Sequence, residues 1–216
     1  QSCKAMLQEK LPELESKLVC IPNMLDAVAI GQKAGNSPYT GDMLHIVSVG
    51  RLAPEKHFEN IIPVAKMLRD MSTDFVWHIV GDGSEQARLE SLIVENDLKD
   101  HVILDRSKTN PYPYMKYADL FVHPSYVESQ GLTVLEAMAL GVPCVVTKSR
   151  GPCEFIEDGV NGLLTEQSPE SLAEEVLAIL NDKKLYQHIK ENTKCPEQFG
   201  PERVIKQIET MIDGEM

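Results

Sequence analysis

Two carboxylates and two cations carry the chemistry this chain offers. Glu128 sits near the end of a loop otherwise poor in charge, Pro124-Ser125-Tyr126-Val127-Glu128-Ser129-Gln130. Glu136 lies inside Leu132-Thr133-Val134-Leu135-Glu136-Ala137-Met138-Ala139-Leu140, a run of good helix formers that Gly141 and Pro143 stop. A helix this apolar predicts cover on most sides, and a carboxylate inside it is costly unless something hydrogen-bonds it. A ligand, rather than the protein, is the candidate partner. Gly131-Leu132-Thr133 opens the helix, where free backbone N–H groups and the helix dipole favour an anion. Arg51 and Lys56 share the loop that follows Gly50. Together these groups could clamp a diphosphate; the two cations alone would read as a solvated surface loop.

Those residues need a scaffold that brings distant loops to one rim. Apolar runs at 44–49, 75–80, 102–104, 121–123, 144–147 and 163–164 alternate with amphipathic stretches at 58–71, 84–96, 112–118, 131–140, 172–180, 185–194 and 204–212. Ser168 is a helix N-cap with Pro169 at the first position. Strands alternating with helices predict an α/β, Rossmann-like parallel sheet with helices on both faces. Right-handed crossovers put every strand's C-terminal end on one side, where such sheets take their ligands. The loops there are 50–56, 81–84, 105–110, 123–130 and 147–151. Gly81-Asp82-Gly83 has part of a dinucleotide fingerprint, but Gln86 stands where the third glycine should be. A tight turn is the better reading, with Asp82 kept as a rim candidate. Upstream, residues 1–18 read as a helix that Pro12 interrupts, 19–22 as strand-like and 31–40 as a Gly/Asn/Ser/Pro loop.

Composition bounds the function. The net charge of -12 over 216 residues makes nucleic acid a poor partner and requires local positive groups for any anionic ligand. Five scattered cysteines without a C-x-x-C suggest reduced thiols and a cytoplasmic location. No D-x-D, H-E-x-x-H or paired histidines suggest a metal, and no G-x-S-x-G is present. The residues by themselves indicate a parallel α/β domain binding an anionic ligand, a nucleotide being one candidate.

The ordered segments go further. Glu128-Ser129-Gln130-Gly131-Leu132-Thr133-Val134-Leu135-Glu136 resembles the E-x7-E signature of retaining glycosyltransferases of the GT-B fold, family 4. Gly50-Arg51-Leu52-Ala53-Pro54-Glu55-Lys56 looks like that family's phosphate loop, and Val19-Cys20-Ile21-Pro22-Asn23 like its interdomain segment. Val80-Gly81-Asp82-Gly83, Tyr117-Ala118-Asp119, Pro124-Ser125 and Asp158-Gly159-Val160-Asn161-Gly162 are similar to further segments in the family order. The resemblance implies the C-terminal, donor-binding half of a two-domain enzyme. Residues 1–40 would be linker and tail of an N-terminal acceptor domain, 41–194 the nucleotide-sugar domain, and 195–216 a helix crossing back.

Roles follow by position. Glu136 would bind the ribose hydroxyls and Glu128 those of the transferred sugar. Arg51 and Lys56 would neutralise the diphosphate, helped by the N–H groups of Gly131, Leu132 and Thr133, while Gly50, Asp82 and Arg106 complete the donor side. Lys108 could reach the donor too. The resemblance implies no cofactor and no metal, a nucleotide-sugar donor carrying uracil on family frequency, and a glycan or lipid-linked acceptor. It leaves peripheral membrane association of the full-length protein open, which would put it at the inner membrane face. Front-face displacement ranks above a covalent Glu128 intermediate. Two departures stand out: His57 where the family commonly has Gly, and Asp105-Arg106 where a Gly often follows the strand. The alternatives are a nucleotide-binding module without turnover, or a GT-B epimerase or phosphorylase. The E-x7-E spacing argues against the latter two.

Overall fold

The computed structural model describes residues 7–106 and 110–213, side chains at 14–16 excepted. Lys108 and Cys3 therefore lie outside the described residues. β1 (Leu44–Val49), β2 (Phe75–Val80), β3 (Val102–Asp105), β4 (Leu120–His123), β5 (Cys144–Thr147) and β6 (Leu163–Thr165) form one sheet in the order β3-β2-β1-β4-β5-β6. Every pairing in it is parallel. β1 is flanked by β2 and β4, so the chain reverses its direction of travel across the sheet there. This is a topological switch point, with a crevice outside the strands' C-terminal ends.

The helices are α1 (Ala27–Lys33), α2 (Ile61–Asp70), α3 (Gln86–Glu95), α4 (Tyr112–Lys116), α5 (Leu132–Ala139), α6 (Pro169–Asn181), α7 (Lys183–Asn192) and α8 (Pro201–Ile212). Alternation along each strand sends side chains to two cores. Ile46, Trp77 and Ile79 pack with Ile61 and Leu68 of α2, Leu89 of α3 and Val176 of α6. Val47, Val49, Phe121 and Val146 pack on the opposite face with Val134, Leu135 and Met138 of α5, Met115 of α4 and Ile30 of α1. Helices thus cover both faces, as the alternating pattern predicts. One polar network crosses the buried strands at the switch point. The Trp77 indole N–H donates to Ser48 Oγ at 3.1 Å, and Ser48 Oγ donates to the Val122 carbonyl at 2.6 Å. Both side chains are fully buried and satisfied, tying β2, β1 and β4 together.

The structure departs from the sequence expectation mainly before residue 41. Residues 19–23 form no strand. The Asn23 backbone pairs instead with the Gln130 carboxamide, its N–H donating to Oε1 at 2.9 Å and its carbonyl accepting from Nε2 at 3.1 Å. The loop expected from Gly31 begins later, because α1 runs on to Lys33. Asp26 caps that helix by accepting from the Ala29 N–H at 2.9 Å. Burial of Leu25, Ile30 and Ala34 outweighs the roughly 1 kcal/mol that a helical glycine costs.

Candidate functional site

β1 and β4 end side by side, so the loops that leave them, 50–57 and 124–131, face each other. Three contacts join them directly, and Asn60, just past the first loop, adds a fourth. Ser125 Oγ donates to the Glu55 carbonyl at 3.1 Å. The His57 and Tyr126 rings stack with centroids 3.8 Å apart, and Asn60 Nδ2 donates to the Tyr126 hydroxyl at 3.0 Å. Lys56 Nζ pairs with Glu128 Oε1. His57 explains its own departure from the family pattern. It adopts φ 48°, ψ 40°, the left-handed region where glycine is the default, and the stack on Tyr126 offsets the strain.

Glu128 is the centre of the arrangement. Its side chain is 11% exposed and that of Lys56 18%. His123, the last residue of β4, places Nε2 2.7 Å from the same Oε1. Burial pushes the Glu128 carboxyl up. The His123 imidazole and the Lys56 ammonium together outweigh burial and hold it well below the usual carboxylate range, at about 2. Glu128 is therefore an anion fixed between two nitrogen groups, one at the end of β4 and one in the 50–57 loop.

α5 begins on the same rim. Gly131 caps it at φ 76°, the left-handed region that favours glycine, and a Cβ there would also press on Pro152 Cγ at 3.0 Å. The Gly131 carbonyl accepts from the Val134 and Leu135 N–H groups. The Leu132 and Thr133 N–H groups sit in the first turn, where a helix has no acceptor of its own. Farther along α5, Glu136 is half-buried and accepts from the Tyr112 hydroxyl at 3.0 Å. Burial raises the Glu136 carboxyl, and the Tyr112 hydroxyl pulls it part of the way back. The protein thus supplies Glu136 with a donor that the sequence did not suggest.

The other candidates divide. Gly50 ends β1, with its N–H on the Val80 carbonyl at 3.1 Å. Asp82 lies beside it, its carbonyl accepting from the Leu52 N–H at 2.8 Å and its Oδ1 from the Gly83 N–H at 2.7 Å. A Cβ on Gly81 would come within 1.9 Å of the Gly50 carbonyl oxygen, and one on Gly83 within 2.2 Å of that of Leu52. The two glycines let the turn lie flat against the 50–52 backbone, which is a steric task. Arg51 does not join Lys56: its side chain is 71% exposed and pairs with Glu55 at 2.6 Å. Arg106 follows the edge strand β3 and pairs with Glu90 at the surface. The structure brings Lys56, Glu128, His123 and the start of α5 to one rim, and it leaves Arg51 and Arg106 tied to acidic neighbours. Tyr112 and Tyr126 were missed. Neither has a spacing signal, since each acts on a residue from another element.

This order of strands, with a crevice outside the strand ends at the switch point, defines a Rossmann-like domain. The chain belongs to the family described as glycosyl transferases group 1, whose model matches residues 36–195. Among its relatives is an uncharacterized glycosyltransferase of Methanocaldococcus jannaschii, 31% identical over 71% of this chain and 43% of that protein. Another is N-acetyl-alpha-D-glucosaminyl L-malate synthase of Bacillus anthracis, 28% identical over 86% of this chain and 49% of that one. The chain thus spans less than half the length of these two relatives. In fold it is similar to a mutant of Staphylococcus aureus TarM solved with fondaparinux, alpha-GlcNAc-glycerol and UDP. That likeness has a TM-score of 0.77 at 24% identity, over 90% of this chain and 39% of TarM. Among the described residues, no helix is long and apolar enough to cross a membrane.

Proposed function

We propose that this chain is the donor-binding part of a retaining glycosyltransferase that moves a hexose-type sugar from a nucleoside-diphosphate sugar to a glycan or lipid-linked acceptor. The observation that carries the reading is the convergence of Lys56, Glu128 and the α5 N-terminus at the β1/β4 switch point. A diphosphate there would meet Lys56 and the first N–H groups of α5, in a chain whose net charge of -12 offers it little elsewhere. Arg51 joins by turning from Glu55. Glu136, deeper along the same helix and held by one donor, takes the ribose hydroxyls. Uracil is the base in this reading, as in the UDP complex of TarM.

The chemistry follows from the charges. The bond between the anomeric carbon and the diphosphate oxygen breaks, and Lys56 and Arg51 stabilise the charge that develops on the leaving group. The acceptor oxygen bonds to the same face of the sugar, and its proton passes to the departing phosphate. In this reading Glu128, held by His123 Nε2 at 2.7 Å, is not the nucleophile. It suits a second task, accepting hydrogen bonds from the transferred sugar. No metal enters these steps. The acceptor is assigned to a second domain, in line with the greater length of the relatives. Calorimetric titration of the chain with UDP, GDP and ADP tests the reading. Saturable binding, tightest for UDP, is expected; no binding to any of the three by folded protein refutes it.

A further inference from the structure

Lys56 has two claimants. In this structure its ammonium is paired with Glu128. In the proposed donor complex it must face the diphosphate, which carries more charge than a carboxylate. One ammonium cannot serve both fully, and a half-buried carboxylate abandoned by its cation is costly. His123 resolves the conflict. It is 1% exposed, fixed at the end of β4 and stacked beside Phe121 with ring planes 10° apart. Its Nε2 lies 2.7 Å from Glu128 Oε1, while its Nδ1 is buried without a partner. A carboxylate can only accept, so Nε2 carries a proton and points it at Glu128.

We propose that His123 is the positioning residue of Glu128, holding the carboxylate in place while Lys56 is exchanged from it to the diphosphate of the donor. The idea rests on the donor-site reading above and adds to it a competition between Glu128 and the ligand for one cation. The two loops joined at Tyr126 keep Lys56 within reach of both. His123 does not move, because it belongs to the strand.

The consequence is unusual for a residue in a binding site: removing the Glu128 charge should tighten nucleoside-diphosphate binding. Titration of the chain with UDP tests this in five variants (Glu128→Gln, His123→Leu, Lys56→Met and the two doubles with Glu128→Gln), each checked for folding by thermal melting. Glu128→Gln, which frees Lys56, should bind UDP about tenfold more tightly than the wild type. His123→Leu, which leaves Glu128 dependent on Lys56, should bind it about tenfold more weakly. The double variant should bind no more weakly than Glu128→Gln alone, since there is no longer a carboxylate to hold. A purely structural His123 would keep its deficit in the double variant. Lys56→Met should abolish the gain from Glu128→Gln, whereas simple repulsion between Glu128 and phosphate would preserve it. This last cycle decides the matter even if His123→Leu fails to fold. Unchanged or weaker binding by Glu128→Gln overturns the exchange while leaving the donor site standing. A folded wild type that binds no nucleoside diphosphate overturns the donor site itself, and the exchange with it.

Discussion

Removing one hydroxyl, in Tyr112→Phe, probes the carboxylate that first marked the α5 helix. Tyr112 opens α4 and gives Glu136 a hydrogen bond of 3.0 Å. Burial, then the nearby Glu136 charge, push the Tyr112 hydroxyl up to about 12, so it stays protonated and donating at any ordinary pH. A hydrogen bond to a charged group contributes about 1.5–3 kcal/mol, and the half-buried site argues for the lower end. For a chain of this size each kcal/mol moves the melting temperature by roughly 2–4 °C, so the variant should melt roughly 3–6 °C lower near neutral pH. The sign with pH is fixed. Losing the donor raises the Glu136 carboxyl further above its usual range, and a protonated carboxyl no longer needs the donor. The deficit is therefore full where Glu136 is ionised and shrinks as pH falls through its raised pKa. Thermal melts of both proteins from neutral pH down into the acid range measure it. An unchanged melting temperature, or a deficit that grows on acidification, refutes the reasoning.

Glu136→Ala should weaken UDP binding more than it lowers stability, measured by calorimetry beside thermal melts; unchanged affinity would leave Glu136 a structural residue. Ser48→Ala strands the Trp77 indole N–H in the core and should destabilise the chain by about 1–3 kcal/mol in urea unfolding. Glu128, held at about 2 in the fold, contributes stability above its unfolded pKa of roughly 4.3 that is lost as pH falls towards 2. Acid unfolding of Glu128→Gln should accordingly be less steep over that window than that of the wild type.

The strands were legible because β-branched runs stand between glycines and turns. β1, β2 and β5 fall on residues 44–49, 75–80 and 144–147, as the pattern predicts. α1 was not, since Gly31 reads as a loop and the helix is held by the distant partners of Ile30. At the site, Glu128 and Glu136 stood out locally, one as a lone charge in its loop, the other as a charge in an apolar helix. Their pairings did not. Lys56 is 72 positions from Glu128, and Tyr112 is 24 from Glu136, separations that no helical or strand period reports. Arg51 looked equivalent to Lys56, yet in the structure it pairs with Glu55 of its own loop. His57 was noted only as standing where the family commonly has Gly; the left-handed backbone that explains this came from the structure.

A crystal structure of the chain with UDP bound tests the central claim most directly. The diphosphate should lie between Lys56 and the first turn of α5, with the ribose hydroxyls on Glu136 and Glu128 still held by His123. A diphosphate bound away from the β1/β4 rim, with Lys56 still paired to Glu128, would contradict it.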